Sequence, residues 1–125
     1  MTMSIRRVVP DISSDHLNES RQFYADVLGL EVVMDLGWVV TLASPTNPTA
    51  QITIMKRDGS ARLQPQVTVE VTDVDAVFNE AVRRGARVVF PPTDESWGVR
   101  RFFVLDPNDV VINVMSHHSG PPDRR

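Results

Sequence analysis

Cysteine is absent from the 125 residues, which excludes disulfides, thiolate catalysis and any cysteine-ligated zinc or iron-sulfur centre. Basic charge is not in excess: the formal net charge is -3, and the arginine pairs Arg6-Arg7, Arg83-Arg84 and Arg100-Arg101 are scattered along the chain. Nucleic acid, which calls for a clustered basic face, is therefore not an expected partner. No stretch approaches the roughly 18 apolar residues of a membrane span. The opening "MTMSIRRVV" enters a strand pattern without an apolar leader core, so a cytoplasmic protein with no membrane partner is expected. Neither GxGxxG nor GxxxxGK[ST] occurs, and no Ser-His-Asp arrangement can be read from order or context. The end of the chain, "SHHSGPPDRR", has no periodic apolar residue. Residues 117–125 read as a frayed tail, in which His117 and His118 make a poor metal site.

What is present is enough for one core. With 42% hydrophobic and 23% charged residues, the chain reads as a single domain that needs no covalent or metal staple. Its organisation is a duplication. "VVPDISS" predicts a strand, and "DHLNESRQFYADVLG" a helix with Asp15 as candidate N-cap and Gly29 as its stop. Leu17, Ser20, Phe23, Tyr24, Val27 and Leu28 form its apolar stripe. Strands "LEVVMD", "GWVVTLA" and "AQITIMK" follow, separated by Gly37 and by "SPTNPT". The second half repeats the plan: strand "QVTVEVT", helix "DVDAVFNEAVRRG" from an Asp73 cap to Gly85, then strands "ARVVF", "RRFFVL" and "VVINVMS". Module one spans about 5–56 and module two about 65–116.

Alternation divides the strands into two faces. Val67, Val69 and Val71 oppose Gln66, Thr68 and Glu70. Ile52 and Ile54 oppose Gln51, Thr53 and Met55. Val9, Asp11 and Ser13 oppose Pro10 and Ile12. After the Asp106-Pro107-Asn108-Asp109 turn, Val110, Ile112 and Val114 oppose Val111, Asn113 and Met115. With the apolar sides under the helices, the other face is polar but sparsely charged, as either a solvated sheet face or a ligand-lined concavity would be.

The duplicated unit, with "FYADVLGLEVV", "DVDAVFNEAVRRGARVV" and "WGVRRFFVLDPNDVVINV" in that order, resembles the vicinal oxygen chelate superfamily, which contains glyoxalase I, extradiol dioxygenases, fosfomycin-resistance enzymes and bleomycin-resistance proteins. The resemblance runs from about Ile5 to Ser116. It implies an α+β fold in which two tandem βαβββ modules form a curled mixed sheet around a cavity, in a homodimer. Metal-using members place His, Gln or Glu at one inward position in each of four strands, and these positions match Val9, Thr53, Gln66 and Asn113 here. Only Gln66 is an accepted ligand. A valine, a threonine and two amides supply no anionic charge to a dication, so no metal and no other cofactor is expected. "VVPDISS" and "SWGVRRFFVLDPND" are most similar to the bleomycin-resistance branch, whose members sequester a drug in dimer clefts. One extra residue between Trp97 and Asp106 makes the arginine match either Arg100 or Arg101; Arg100 is the one taken.

The implied function is metal-free binding of a small organic compound, aromatic or cationic, such as an antibiotic, in a dimer cleft. Trp38 and Trp97 offer stacking area; Gln51, Thr53, Gln66, Glu70, Arg100 and Asn113 give orientation. No catalytic residue is assigned. Glu70 and Asp11 read equally as inward groups or as ordinary strand carboxylates, and His16, beside the helix start, reads as solvent-facing. The rival functions are a metal-dependent or acid-base lyase or isomerase of glyoxalase type, and a partner-binding module whose cavity is filled by its own side chains.

Overall fold

The computed structural model describes residues 4–56 and 63–117. The first module runs β1 (Ile5–Ser13), α1 (Leu17–Leu28), β2 (Glu31–Asp35), β3 (Val39–Ala43) and β4 (Gln51–Met55). The second runs β5 (Val67–Val71), α2 (Val74–Arg83), β6 (Val88–Asp94), β7 (Val99–Leu105) and β8 (Val111–His117). All eight strands form one mixed sheet in the order β2-β3-β4-β1-β5-β8-β7-β6. Each half is the same permutation of its own module, and the halves meet where β1 and β5 pair antiparallel, Val9 opposite Thr68 and Arg7 opposite Glu70. Within each module the first and last strands run parallel, β1 with β4 and β5 with β8. No helix among the described residues is long and apolar enough to cross a membrane.

Period-two alternation places each apolar set under its helix, as the sequence predicts. Leu17, Val40, Leu42 and Ile54 form the core beneath α1, and Val71, Val74, Phe102 and Val114 that beneath α2. Phe102, fully buried, packs edge-on against Phe78 with ring centroids 5.3 Å apart. Burial of a side chain of this kind stabilises the fold by about 1.5–3 kcal/mol.

Four local expectations need correction. The Asp15 cap is not formed: His16 occupies the N-cap position of α1 without a side-chain cap bond, and Ser14 Oγ accepts from the His16 amide instead. In α2, by contrast, Asp73 accepts from the Ala76 amide at 3.1 Å as expected. The α1 stripe is narrower than its spacing suggests, because Phe23, Val27 and Leu28 are exposed while Tyr24 and Ala25 take the core-facing positions. Strand β6 continues beyond Phe90 through Pro91 and Pro92 to Asp94. Prolines fit there because β6 is an outer strand, where a missing amide donor breaks no ladder. Finally, His117 is not tail: it ends β8 opposite Val99. Residues 118–125, including His118, lie outside the described residues.

The sheet curls so that its second strand from either end approaches the other. Trp38, just before β3, and Trp97, just before β7, meet edge-to-face with centroids 5.2 Å apart. Each sits beside a glycine of positive φ, Gly37 at 89° and Gly98 at 92°. That left-handed geometry, costly for residues with a Cβ, turns the chain sharply enough to aim both indoles inward.

Candidate functional site

The inner face of the curled sheet bounds a cavity of ≈ 280 Å³. At its floor, three neighbouring strands contribute Asp11 from β1, Thr68 from β5 and Asn113 from β8, all buried. Thr68 Oγ1 donates to Asp11 Oδ2 at 2.6 Å and accepts from Asn113 Nδ2 at 3.1 Å. The hydroxyl has one hydrogen to give, and the carboxylate takes it. Among the described residues, Asp11 Oδ1 and Asn113 Oδ1 are buried with no hydrogen-bond partner. Burial raises the Asp11 pKa from its ordinary 3.8 to about 7, with the Thr68 bond and the charges of Arg7 and Arg101 opposing the rise.

One flank is held by Arg7, which gives Nε to Glu70 and Nη1 to Gln51 Oε1. Glu70 also meets His117 Nδ1 at 2.9 Å. Burial alone would push the Glu70 carboxyl up, but the bonds from His117 and Arg7 outweigh it and hold it below the usual range. Gln51 is committed at its other end too, donating Nε2 to the Pro48 carbonyl at 2.8 Å. Across the cavity, Thr41 and Thr53 share a 2.8 Å hydroxyl contact.

The opposite flank is aromatic. Trp38 and Trp97 form the wall, and behind them the Arg101 guanidinium lies over the rings of Phe90, Trp97 and Phe103 at 5.3, 5.1 and 4.9 Å from their centroids. Its Nε reaches Glu95 Oε2 at 2.7 Å, with the two side chains only 5% and 9% exposed. Cation-π contact and a buried ion pair thus fix one rigid cation against the wall.

Of the residues expected from sequence, Trp38, Gln51, Thr53, Trp97 and Asn113 line this cavity. Gln66 is exposed and its Oε1 accepts from the Val111 amide at 3.2 Å, tying the start of β5 to β8. Glu70 sits behind Arg7 as its counter-ion and is not in the lining. Arg100 is a correction: it points to the other side of β7 and bridges Asp75 and Asp94 at 3.1–3.3 Å. In a strand where Val99 is inward, Arg101 shares its face and Arg100 cannot. Thr68, placed on the polar face from sequence, and Arg101, the alternative to Arg100, also line the cavity; Arg7 and His117 were not expected there, although Arg7 has the same parity as Val9 and Asp11. Strand parity was the signal that could have found it.

The four positions matched to metal ligands do not fit a divalent cation. Val9 carries no donor atom, the Thr53 hydroxyl is bonded to Thr41 and the Gln66 oxygen to Val111, and Asn113, held by Thr68 through its nitrogen, offers one neutral carbonyl oxygen. Hard dications require several oxygen or imidazole donors converging with net negative charge. No group of three or more His, Asp or Glu side chains among the described residues could hold one.

The sequence profile described as Glyoxalase/Bleomycin resistance protein/Dioxygenase superfamily matches residues 5–114. No curated protein matches. Among solved structures, a glyoxalase/bleomycin resistance protein/dioxygenase superfamily member from Vibrio splendidus 12B01 is 19% identical with a TM-score of 0.68, covering 90% of this chain and 99% of that one. A homoprotocatechuate 2,3-dioxygenase variant from B. fuscum is 22% identical with a TM-score of 0.68, over 93% of this chain and 33% of that one. The Mn(II)-bound glyoxalase from Novosphingobium aromaticivorans is 21% identical with a TM-score of 0.60, over 90% of this chain and 38% of that one. The chain therefore spans about a third of the length of these two enzymes, and the likeness is one of fold.

Proposed function

The chain belongs to the Glyoxalase/Bleomycin resistance protein/Dioxygenase superfamily, and from that premise we propose that it binds a small aromatic compound, neutral or singly cationic, in its cavity without a metal ion. The observation that carries this reading is the pairing of an indole wall, Trp38 with Trp97, with a floor of Asp11, Thr68 and Asn113 whose single carboxylate is too little for a dication. A volume of ≈ 280 Å³ lies at the lower limit of ligand pockets, about 300–1,000 Å³, which suits one or two fused rings. The two lining guanidiniums already have carboxylate partners, Arg7 in Glu70 and Arg101 in Glu95. An anion is thus not required to balance them.

The chain has two tryptophans and both line the cavity, so intrinsic fluorescence reports directly on its occupancy. Benzimidazole is expected to quench it saturably. Trp97→Ala should weaken that binding about tenfold, the roughly 1.5 kcal/mol upper range of one aromatic contact. An unchanged affinity, read from the remaining Trp38 signal, would remove the indole wall from the site. Stoichiometric Mn, Fe, Ni or Zn in protein purified without chelator would overturn the metal-free part.

A homodimer belongs to the same proposal. Phe23, Val27 and Leu28 are exposed on α1, with Val8 exposed on β1 and lining one shallow depression together with Leu28. A second copy covering this surface would remove it from water. Gel filtration with light scattering should give twice the chain mass, and a monomer at micromolar concentration would refute that part. A second reading, acid-base lyase or isomerase chemistry, draws on Asp11 alone, whose pKa near 7 suits proton transfer at neutral pH.

A further inference from the structure

The polar groups that a ligand in the cavity can reach are mainly donors. The unpartnered acceptors of the floor, Asp11 Oδ1 and Asn113 Oδ1, have almost no exposed surface. On the Arg7 flank the acceptors are already taken: Glu70 uses Oε1 for Arg7 and Oε2 for His117, and Gln51 Oε1 accepts from Arg7 Nη1. Thr41 and Thr53 share one hydrogen bond, so that pair keeps one hydroxyl hydrogen to give. His117, its side chain half in solvent at the end of β8, belongs to the rim. Arg7 is different. A guanidinium carries five N–H donors, and among the described residues only Nε and Nη1 of this one are bonded. Nη2 is not one of the sealed atoms, and Arg7 lines the cavity, so Nη2 is free to donate into it. Its direction is fixed as well, because the group is flat and is pinned at two nitrogens, one of them by a Gln51 itself anchored to the Pro48 carbonyl.

Resting on the ligand-binding reading above, we propose that Arg7 sets the specificity of the cavity, selecting neutral aromatic compounds that carry a carbonyl oxygen on the ring system. The oxygen accepts from Arg7 Nη2 while the ring lies against Trp38 and Trp97. This narrows the ligand class to its neutral members. Glu70 already balances the Arg7 charge, so the open donor is matched by an acceptor without a charge of its own. An ammonium is the wrong partner, since it brings a second cation beside Arg7 and offers only donors. A plain hydrocarbon ring would take water from Nη2 and put nothing in its place, and leaving such a group unpaired is what makes discrimination large. A ring carbonyl adds no rotatable bond and meets a donor that is already held in place, so little ordering cost opposes the contact.

The test titrates three compounds of one skeleton, 1-indanone, indane and 2-aminoindane, by tryptophan fluorescence at pH 7. 1-Indanone is expected to bind about tenfold or more tightly than 2-aminoindane, which is cationic at that pH. The ratio of 1-indanone to indane affinity is then compared between proteins, which cancels the difference in hydrophobicity of the two compounds. That ratio should fall about tenfold in the double variant Arg7→Met with Glu70→Gln, which strands no buried carboxylate and whose folding a thermal melt confirms. Arg6→Ala, at an arginine whose side chain is largely exposed, should leave the ratio within about twofold. A ratio unchanged by the loss of Arg7 would overturn the assignment and leave aromatic binding standing. A ratio lowered equally by Arg6→Ala would overturn it in favour of a general charge effect. 2-Aminoindane binding as tightly as 1-indanone would overturn the preference for an acceptor, a comparison that needs no variant. Failure of all three compounds to bind would sink this inference and the ligand-binding reading together.

Discussion

Asp11→Asn is expected to raise the melting midpoint by about 10 °C at pH 8 and to change it little near pH 4. The carboxyl is buried and its pKa rises from 3.8 to about 7 on folding, so the folded state binds this proton more tightly than the unfolded chain. Its contribution is then fully favourable below about pH 4 and is lost as pH rises through 7. The rise corresponds to at most about 4 kcal/mol. A realistic gain of about 2–3 kcal/mol converts at roughly 4 °C per kcal/mol for a chain of this size. Asparagine keeps the shape and can still accept from Thr68, but it removes the charge that burial penalises. Differential melts of the two proteins across pH 4–9 check this. A difference that stayed flat with pH would mean that Asp11 titrates normally and that the floor carries no electrostatic cost.

Arg101→Met should have the opposite effect and a similar size. It leaves Glu95, whose side chain is 9% exposed, as a buried carboxylate without its guanidinium. It also removes the cation from between Phe90, Trp97 and Phe103. Breaking one side of a buried pair costs about 3–5 kcal/mol, which corresponds to a midpoint lowered by roughly 15 °C. Adding Glu95→Gln should restore at least half of that loss, since the stranded charge disappears. The neighbouring Arg100→Ala is the control: its partners Asp75 and Asp94 are more than half exposed, so urea unfolding should show a change below about 1 kcal/mol. If the two arginine variants proved equally mild, the ring-enclosed ion pair would not be the rigid element of the wall.

Much of this architecture could be read from sequence because its causes are local. The strand-helix-three-strand repeat, the Asp73 cap and the glycine stops each depend on a few adjacent residues, and the inner and outer faces follow from parity alone. The same local rules were insufficient where a partner lay far along the chain. The resemblance offered either arginine of the Arg100-Arg101 pair, and the inward direction of Val99 is what selects Arg101. Asp15 looked like a cap, but the N-cap position falls one residue later, at His16. The strand running through Pro91-Pro92 was hidden because proline is a fair strand breaker anywhere except at an outer edge. His117 looked like tail because its partner, Glu70, is 47 positions away.

The candidate site divides along the same line. Asn113 was singled out from sequence as an amide on the inner face of a strand, at a position where metal-using relatives carry a ligand. Its bond to Thr68, and through Thr68 its link to Asp11, exists only because β1, β5 and β8 are neighbours in the sheet.

From sequence alone the chain determined its duplicated modules, its two apolar cores and a polar inner face poor in metal donors, since these depend on residue type and on a two-residue period. Tertiary structure alone decided which polar groups meet, which arginine faces inward, and that two acceptors are left unpartnered on the floor. Hydrogen bonds and buried charge depend on distances between strands that the order of residues does not encode, and those distances are set only when both modules curl around one cavity.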